Sequence, residues 1–357
     1  MTTNTKRTPH RPGDRHGRPR RPAILRDAHR RLAKVRVLVA DHDRRTAQLI
    51  HSVLMSFGFD TIHEAHDGET AIKILEEHDI DLLITEWDLK MLSGIRLVKA
   101  IRQTKSGQRW ERDLPAIMMT AKADLESVRE ARDAGFTEFV AKPFSARSLS
   151  TRLLQMIDNP RAFVISEGFI GPCRRRRSMP PPGEVERRGQ HDPKAKQAVT
   201  MSEILPPNKR LKTLIGDDLD GKDIFTDNLI NNVQRDIMRY ESQFIEWARD
   251  DIRILEVTYK AMTDDHNDHE ARRKFYEAAY TIKSQAGMFG YDMGTEVTRM
   301  LLDYFHDGRP VDSNTLIVLR MHVDTIRVVF QHKIKDSGRA IAVELVKSLQ
   351  KLVAKLS

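Results

Sequence analysis

Two carboxylates in this sequence close short apolar runs that have the composition of buried strands: Asp41 follows VRVLVA, and Glu86 follows DLLIT. Thr120 ends a third run, AIMMT, and Lys142 ends a fourth, EFVAK. In an open parallel sheet the ligand crevice lies beyond the carboxyl ends of the strands, so acids at these points face it. Glu86 therefore has two readings, a group that takes part in chemistry or one half of a buried ion pair with Lys142. Other chemistries lack their residues. There is no glycine-rich phosphate loop, no Ser/His/Asp arrangement and no recognisable helix-turn-helix. The single cysteine, Cys173, excludes an internal disulfide framework and a cysteine-based zinc site. His266 and His269 lie in a polar stretch, DDHNDHE, where only adventitious metal binding is expected.

The elements that position these residues follow from hydrophobic period. The runs VRVLVA (35–40), TIHEA (61–65), DLLIT (81–85), AIMMT (116–120) and EFVAK (138–142) alternate with TAQLIHSVLMSFGF, DGETAIKILEEHD, SGIRLVKAIRQT and DLESVREARDAGF, and a further helix is expected near 146–157. In SGIRLVKA, Ile95, Leu97, Val98 and Ile101 fall on one side. This is a βα unit repeated five times, and right-handed crossovers make it a doubly wound parallel α/β sheet with helices on both faces. Residues 158–221 read as a basic Pro/Arg-rich spacer, and 222–357 as a separate all-α bundle. In the bundle Val233, Ile237, Tyr240, Phe244, Trp247, Leu255 and Tyr259 predict one continuous helix, with further helices near 268–287, 294–306, 313–334 and 339–356. A spacer with little apolar material predicts two domains that behave independently.

Length and charge bound the class. A chain of 357 residues has room for two cores. No apolar run approaches the roughly 20 residues that span a bilayer, and the basic N-terminus has no apolar segment behind it, so no membrane span and a cytoplasmic location are expected. The net charge is +9, but residues 1–36 carry an excess of +10 and residues 161–212 one of +7, which leaves −8 for the rest. Residues 1–34 form a basic arm too poor in apolar side chains to order. The two basic stretches suit weak contact with nucleic acid or an anionic surface.

Residues 35–157 resemble a response-regulator receiver domain of the flavodoxin-like type. The likeness rests on Asp41, on Glu86, on Gly94 eight residues beyond it, on Thr120-Ala121 and on Lys142-Pro143-Phe144. It implies phosphoryl transfer to an acid at the end of the third strand, with carboxylates at the first strand holding Mg²⁺ and the Thr and Lys engaging the phosphoryl oxygens. This sequence departs from the pattern at its centre. His42 stands where the second magnesium-binding acid belongs, with an acid returning only at Asp43, and Glu86 replaces the phosphoaccepting aspartate. Lys90 and Ser93 alter the following turn, and Asp88 lies too far beyond the strand to substitute. Asp41, Asp43 and Glu86 are at most weak metal candidates, so no cofactor is expected, and Mg²⁺ only if the receiver is active. Phe139 and Trp87 read as packing aromatics.

Residues 278–290, AAYTIKSQAGMFG, are similar to the phosphorylated segment of histidine phosphotransfer (HPt) bundles, with Thr281, Lys283, Ala286, Gly287 and Gly290 in register. Tyr280 occupies the place of the histidine, and Ser284 that of a small glycine. A phenol with pKa about 10 is a weak nucleophile at neutral pH, so relay through Tyr280 is not expected; Tyr280 and Lys283 instead mark a recognition face. Together these resemblances imply a non-enzymatic two-component adaptor, a pseudo-receiver joined to a degenerate HPt bundle, with histidine kinases, receivers or HPt proteins as partners. The alternatives are a conventionally phosphorylated response regulator and a nucleic-acid-associated regulator working through the Arg-rich arm and spacer.

Overall fold

The computed structural model describes residues 30–104, 110–122, 124–174, 203–306, 308–335 and 340–356. The expectations for residues 1–29 and for 175–202, most of the basic arm and the centre of the spacer, lie outside the described residues.

Five strands, β1 (Arg36–Ala40), β2 (Thr61–Ala65), β3 (Leu82–Thr85), β4 (Ala116–Thr120) and β5 (Glu138–Ala141), alternate with helices α1 (Arg44–Phe57), α2 (Gly68–Glu77), α3 (Gly94–Arg102), α4 (Leu125–Ala134) and α5 (Ala146–Asp158). All strand pairs are parallel and the order is β2-β1-β3-β4-β5. The helices begin where a short polar side chain takes up free backbone N–H groups: Asp43, Asp67, Ser93, Asp124 and Ser145 each accept from the first turn. Alternation along each strand sorts the core. Leu38, Leu83 and Met118 face α2, α3 and α4, whereas Val37, Val39, Ile84, Ile117 and Met119 face the α1 and α5 side. Register aligns the strand ends, with Ala40 beside Thr85 and Thr120 beside Ala141, so the residues that follow them meet at one edge.

The region expected to be an extended spacer is partly folded onto the sheet domain. Strands β6 (Phe163–Ser166) and β7 (Phe169–Pro172) form a hairpin, and β8 (Glu203–Leu205) pairs with β6. The buried Arg102 guanidinium anchors this region. It donates to the carbonyls of Gly135, Arg112 and Leu114 and lies over the Phe163 ring. Helix α6 (Arg210–Ile215) returns to the sheet through Arg210, whose guanidinium is 2.6 Å from Asp81. Arg31, at the end of the basic arm, pairs with Asp218 at 2.6 Å. The pattern of Pro and like charges hid these elements because each is short and draws its stability from tertiary contacts.

After the short α7 (Gly221–Ile224) come α8 (Asp227–Arg239), α9 (Glu241–Asp264), α10 (His269–Ala286), α11 (Asp292–Tyr304), α12 (Ser313–Gln331) and α13 (Ala340–Leu356). Helices α9 to α12 pack as a bundle, with α9 touching both α10 and α12, and α13 lies against α11 and α12. The single long helix expected across Tyr240 is two helices. Tyr240 ends α8 and caps α9 with φ −81° and ψ 1°, and its hydroxyl donates to Ser52 of α1. The break lets α8 lie on α1 and α5 while α9 enters the bundle. The expectation of independent domains is corrected here: the core on the α1 and α5 side of the sheet runs without interruption through Val233, Ile237 and Phe244 into the bundle interior.

Candidate functional site

Lys142 sits between the two carboxylates. Its Nζ is 2.6 Å from Asp41 Oδ2 and 2.5 Å from Glu86 Oε2, and all three side chains are at most 3% exposed. The remaining carboxylate oxygens are also engaged: the Trp87 N–H donates to Glu86 Oε1 at 2.7 Å, and the Asp43 N–H to Asp41 Oδ1 at 3.0 Å. Burial works to lower the pKa of the Lys142 ammonium, but Asp41 and Glu86 outweigh it and hold it above its ordinary value. Burial raises the Asp41 carboxyl against the pull of Lys142, with Glu86 adding repulsion. Gly94 has its own place in this geometry, since a Cβ there would collide with the carbonyl oxygen of Glu86.

The fourth strand end is closed from the other half of the molecule. The Tyr280 hydroxyl lies 3.0 Å from Thr120 Oγ1 and accepts from the Ala121 N–H at 3.1 Å. Burial and the nearby Glu86 charge push the phenol well above its usual range, so Tyr280 is neutral in this position. Lys283 donates to the Ala121 carbonyl at 3.2 Å. One turn further, the Gln285 amide donates to Asp43 Oδ2 at 2.7 Å and to the Thr46 hydroxyl at 3.1 Å. Gly287 lies against Pro143, where a Cβ would strike the pyrrolidine ring. Across α1, Arg45 reaches Asp251 at 3.1 Å and the Trp247 carbonyl at 3.4 Å.

The residues singled out from sequence therefore fall into two groups that the structure brings together: Asp41, Glu86, Thr120 and Lys142 at the sheet edge, and Tyr280 and Lys283 pressed against them. His42 stands aside, with Nδ1 3.9 Å from Asp41 Oδ1 and without a hydrogen-bond partner. Asp88 pairs with Lys122 at 2.7 Å and does not enter the site. Phe139 and Trp87 pack at the periphery of the core formed by α2, α3 and α4. Gln285, Arg45, Asp251 and Pro143 were missed as contact residues. Gln285 offered a signal, a large amide on the same helix as the apolar Phe275, Ala278 and Ile282, but its partner was not readable.

The donor set does not fit Mg²⁺. Magnesium requires several hard oxygen donors in near-octahedral array. Asp41 and Glu86 are both committed to the Lys142 ammonium, Asp43 caps α1 and accepts from Gln285, and position 42 offers an imidazole. No group of three or more His, Cys, Asp or Glu able to hold a metal occurs among the described residues.

Comparison with known proteins matches residues 37–154 to the response regulator receiver domain. The chemotaxis protein CheY-3 of Vibrio cholerae serotype O1 is 33% identical over 119 residues, which cover 33% of this chain and 88% of that protein. The chain belongs to the response regulator receiver family. CheY of Pseudomonas aeruginosa is 31% identical over 124 residues, covering 35% of this chain and 97% of its own. Among solved structures, chemotaxis protein CheY4 of Vibrio cholerae aligns with 24% identity and a TM-score of 0.31, over 34% of this chain and 97% of that one. These relatives coincide with the sheet domain, and a receiver domain of this type places the chain in two-component signalling. No helix among the described residues is long and apolar enough to cross a membrane.

Proposed function

We propose that this chain is a phosphorylation-independent adaptor of two-component signalling, in which a degenerate receiver is held docked on its own HPt-like bundle. The observation that carries this reading is the seating of Tyr280 on Thr120 and Ala121. In the resemblance drawn from sequence, Thr120 is the group that engages a phosphoryl oxygen and Tyr280 stands for the phosphorylated histidine, so the two degenerate sites face each other as donor and acceptor would. Neither carries out transfer. The neutral phenol is a poor nucleophile, and the Glu86 carboxylate is bound to Lys142 and to the Trp87 N–H. The pair is an interface built from the remains of a transfer site, and the chain is not an enzyme.

The Tyr280 and Lys283 face is occupied from within, so partners meet the outer surfaces of the docked pair. Histidine kinases, receivers and HPt proteins of the cytoplasm are the class of partner that a receiver surface fits. The test is exposure of the full chain to Mg²⁺ and a small phosphodonor such as acetyl phosphate. No phosphate should be incorporated and the fluorescence of Trp87 should stay unchanged. Incorporation at Glu86 or Asp88 would replace this reading with that of a conventional response regulator.

A further inference from the structure

A cleft of about 860 Å³ opens between the receiver loops and the bundle, next to the seam closed by Tyr280. Its volume lies in the range of small-molecule sites, roughly 300–1,000 Å³. One wall carries Lys90, and the other carries Arg272 of α10 and Arg309 from the segment between α11 and α12.

Two of the three cations, Arg272 and Arg309, are held by uncharged groups. The Arg272 guanidinium donates to the carbonyl oxygens of Arg309 at 2.6 Å and His306 at 2.8 Å, and it stacks 4.4 Å above the Phe305 ring centre. Arg309 lies 3.8 Å above the Tyr304 ring and donates to its hydroxyl at 2.8 Å. Carbonyls, a phenol and ring faces fix both guanidinium planes but remove none of their charge. No carboxylate lies within ion-pair distance of Lys90, Arg272 or Arg309 among the described residues. Two acids of the same walls are paired with cations, Asp88 with Lys122 and Glu277 with Arg273, and the Asp268 carboxylate caps the start of α10 through the Ala271 N–H. Oriented guanidiniums without a carboxylate in direct contact favour planar, bidentate capture of phosphate oxygens.

We propose that this cleft binds a compact polyphosphate, inorganic or carried on a nucleoside, bridging Lys90 on the receiver wall to Arg272 and Arg309 on the bundle wall. A cleft of this size with cations from three separate segments on its walls suits a short polyanion better than an extended acidic chain. Because the two walls belong to different halves, such a ligand binds the docked arrangement and stabilises it by mass action. The inference rests on that docked geometry and is independent of whether the receiver accepts phosphate.

The test is calorimetric titration of the full chain with sodium pyrophosphate, ATP and adenosine at matched ionic strength. Saturable one-to-one binding is expected for pyrophosphate and ATP, with adenosine silent. ATP binding tighter than pyrophosphate assigns the nucleoside-borne ligand, and equal affinities assign the inorganic one. Lys90→Ala and Arg309→Ala should each weaken binding about tenfold or more, whereas Lys260→Ala, an exposed cation elsewhere on the bundle, should not. Gly287→Val, which forces the halves apart at Pro143, should abolish binding while circular dichroism shows both halves folded. Three results would each overturn the proposal: no saturation by either phosphate, affinity unchanged in Lys90→Ala and Arg309→Ala, or a hexaglutamate peptide that binds the same cleft more tightly than pyrophosphate.

Discussion

The phenol oxygen of Tyr280 rests 3.0 Å from the hydroxyl of Thr120, a residue 160 positions earlier in the chain. Each belongs to a different folded half, Thr120 to the end of β4 and Tyr280 to α10. Their contact is buried, so it both orients the two halves and depends on them.

Tyr280→Phe removes the contact without changing shape. The Ala121 N–H loses its acceptor in a buried place, which costs about 1–3 kcal/mol. Docking should weaken while both halves stay folded, seen as faster hydrogen exchange at Ala121 and an unchanged far-ultraviolet circular dichroism spectrum. Exchange at the native rate would show that the phenol does not hold the seam.

Gly287→Val acts on sterics alone. The backbone at Gly287, φ −67° and ψ −21°, suits any residue, so helix α10 is not strained by the change. The added side chain meets the Pro143 ring. Small-angle scattering should show an expanded particle, and a radius of gyration equal to that of the wild type would contradict the close packing described here.

Docking should depend on pH through Asp251. Burial pushes its carboxyl up to about 6, against the pull of Arg45 and with repulsion from Asp43 and Asp250. The ordinary value is 3.8. The docked state therefore holds the proton more tightly than the open one, so docking is strongest below the ordinary value, weakens as pH rises towards about 6 and is level above it. Comparing scattering at about pH 5 with about pH 7.5 should show this trend in the wild type, and Asp251→Asn should flatten it.

Lys142→Met leaves Asp41 and Glu86 facing each other without a cation. Breaking a buried charge cluster in this way destabilises by about 3–5 kcal/mol. The loss should appear as a lower urea midpoint. Adding Glu86→Gln should recover part of it, because one uncompensated charge is then gone.

The sheet was legible because its signals are local. Alternating apolar runs place β1 to β5, and apolar residues at helical spacing place the helices between them. The edge position of Asp41, Glu86, Thr120 and Lys142 follows from parallel topology alone. What could not be read was the relation between distant segments. Val233 and Ile237 reported an apolar face in the sequence, but nothing in a 3.6-residue period says whether that face meets another bundle helix or α1 and α5. The break at Tyr240 was hidden for the same reason: an aromatic in register with its neighbours looks like helix interior, and only the packing of α8 on the receiver turns it into a corner.

The apolar core that runs from the sheet into the bundle also changes the arithmetic of competition. The two halves share one chain, so each meets the other as an intramolecular partner, at an effective concentration set by the length and stiffness of the segment that joins them. A free protein that mimics the bundle has to exceed that concentration, scaled by its affinity, before it displaces the resident. Ordinary encounters at cellular abundance leave the pair intact. Only a rival that is locally concentrated, or that binds much more tightly than the chain binds itself, opens it.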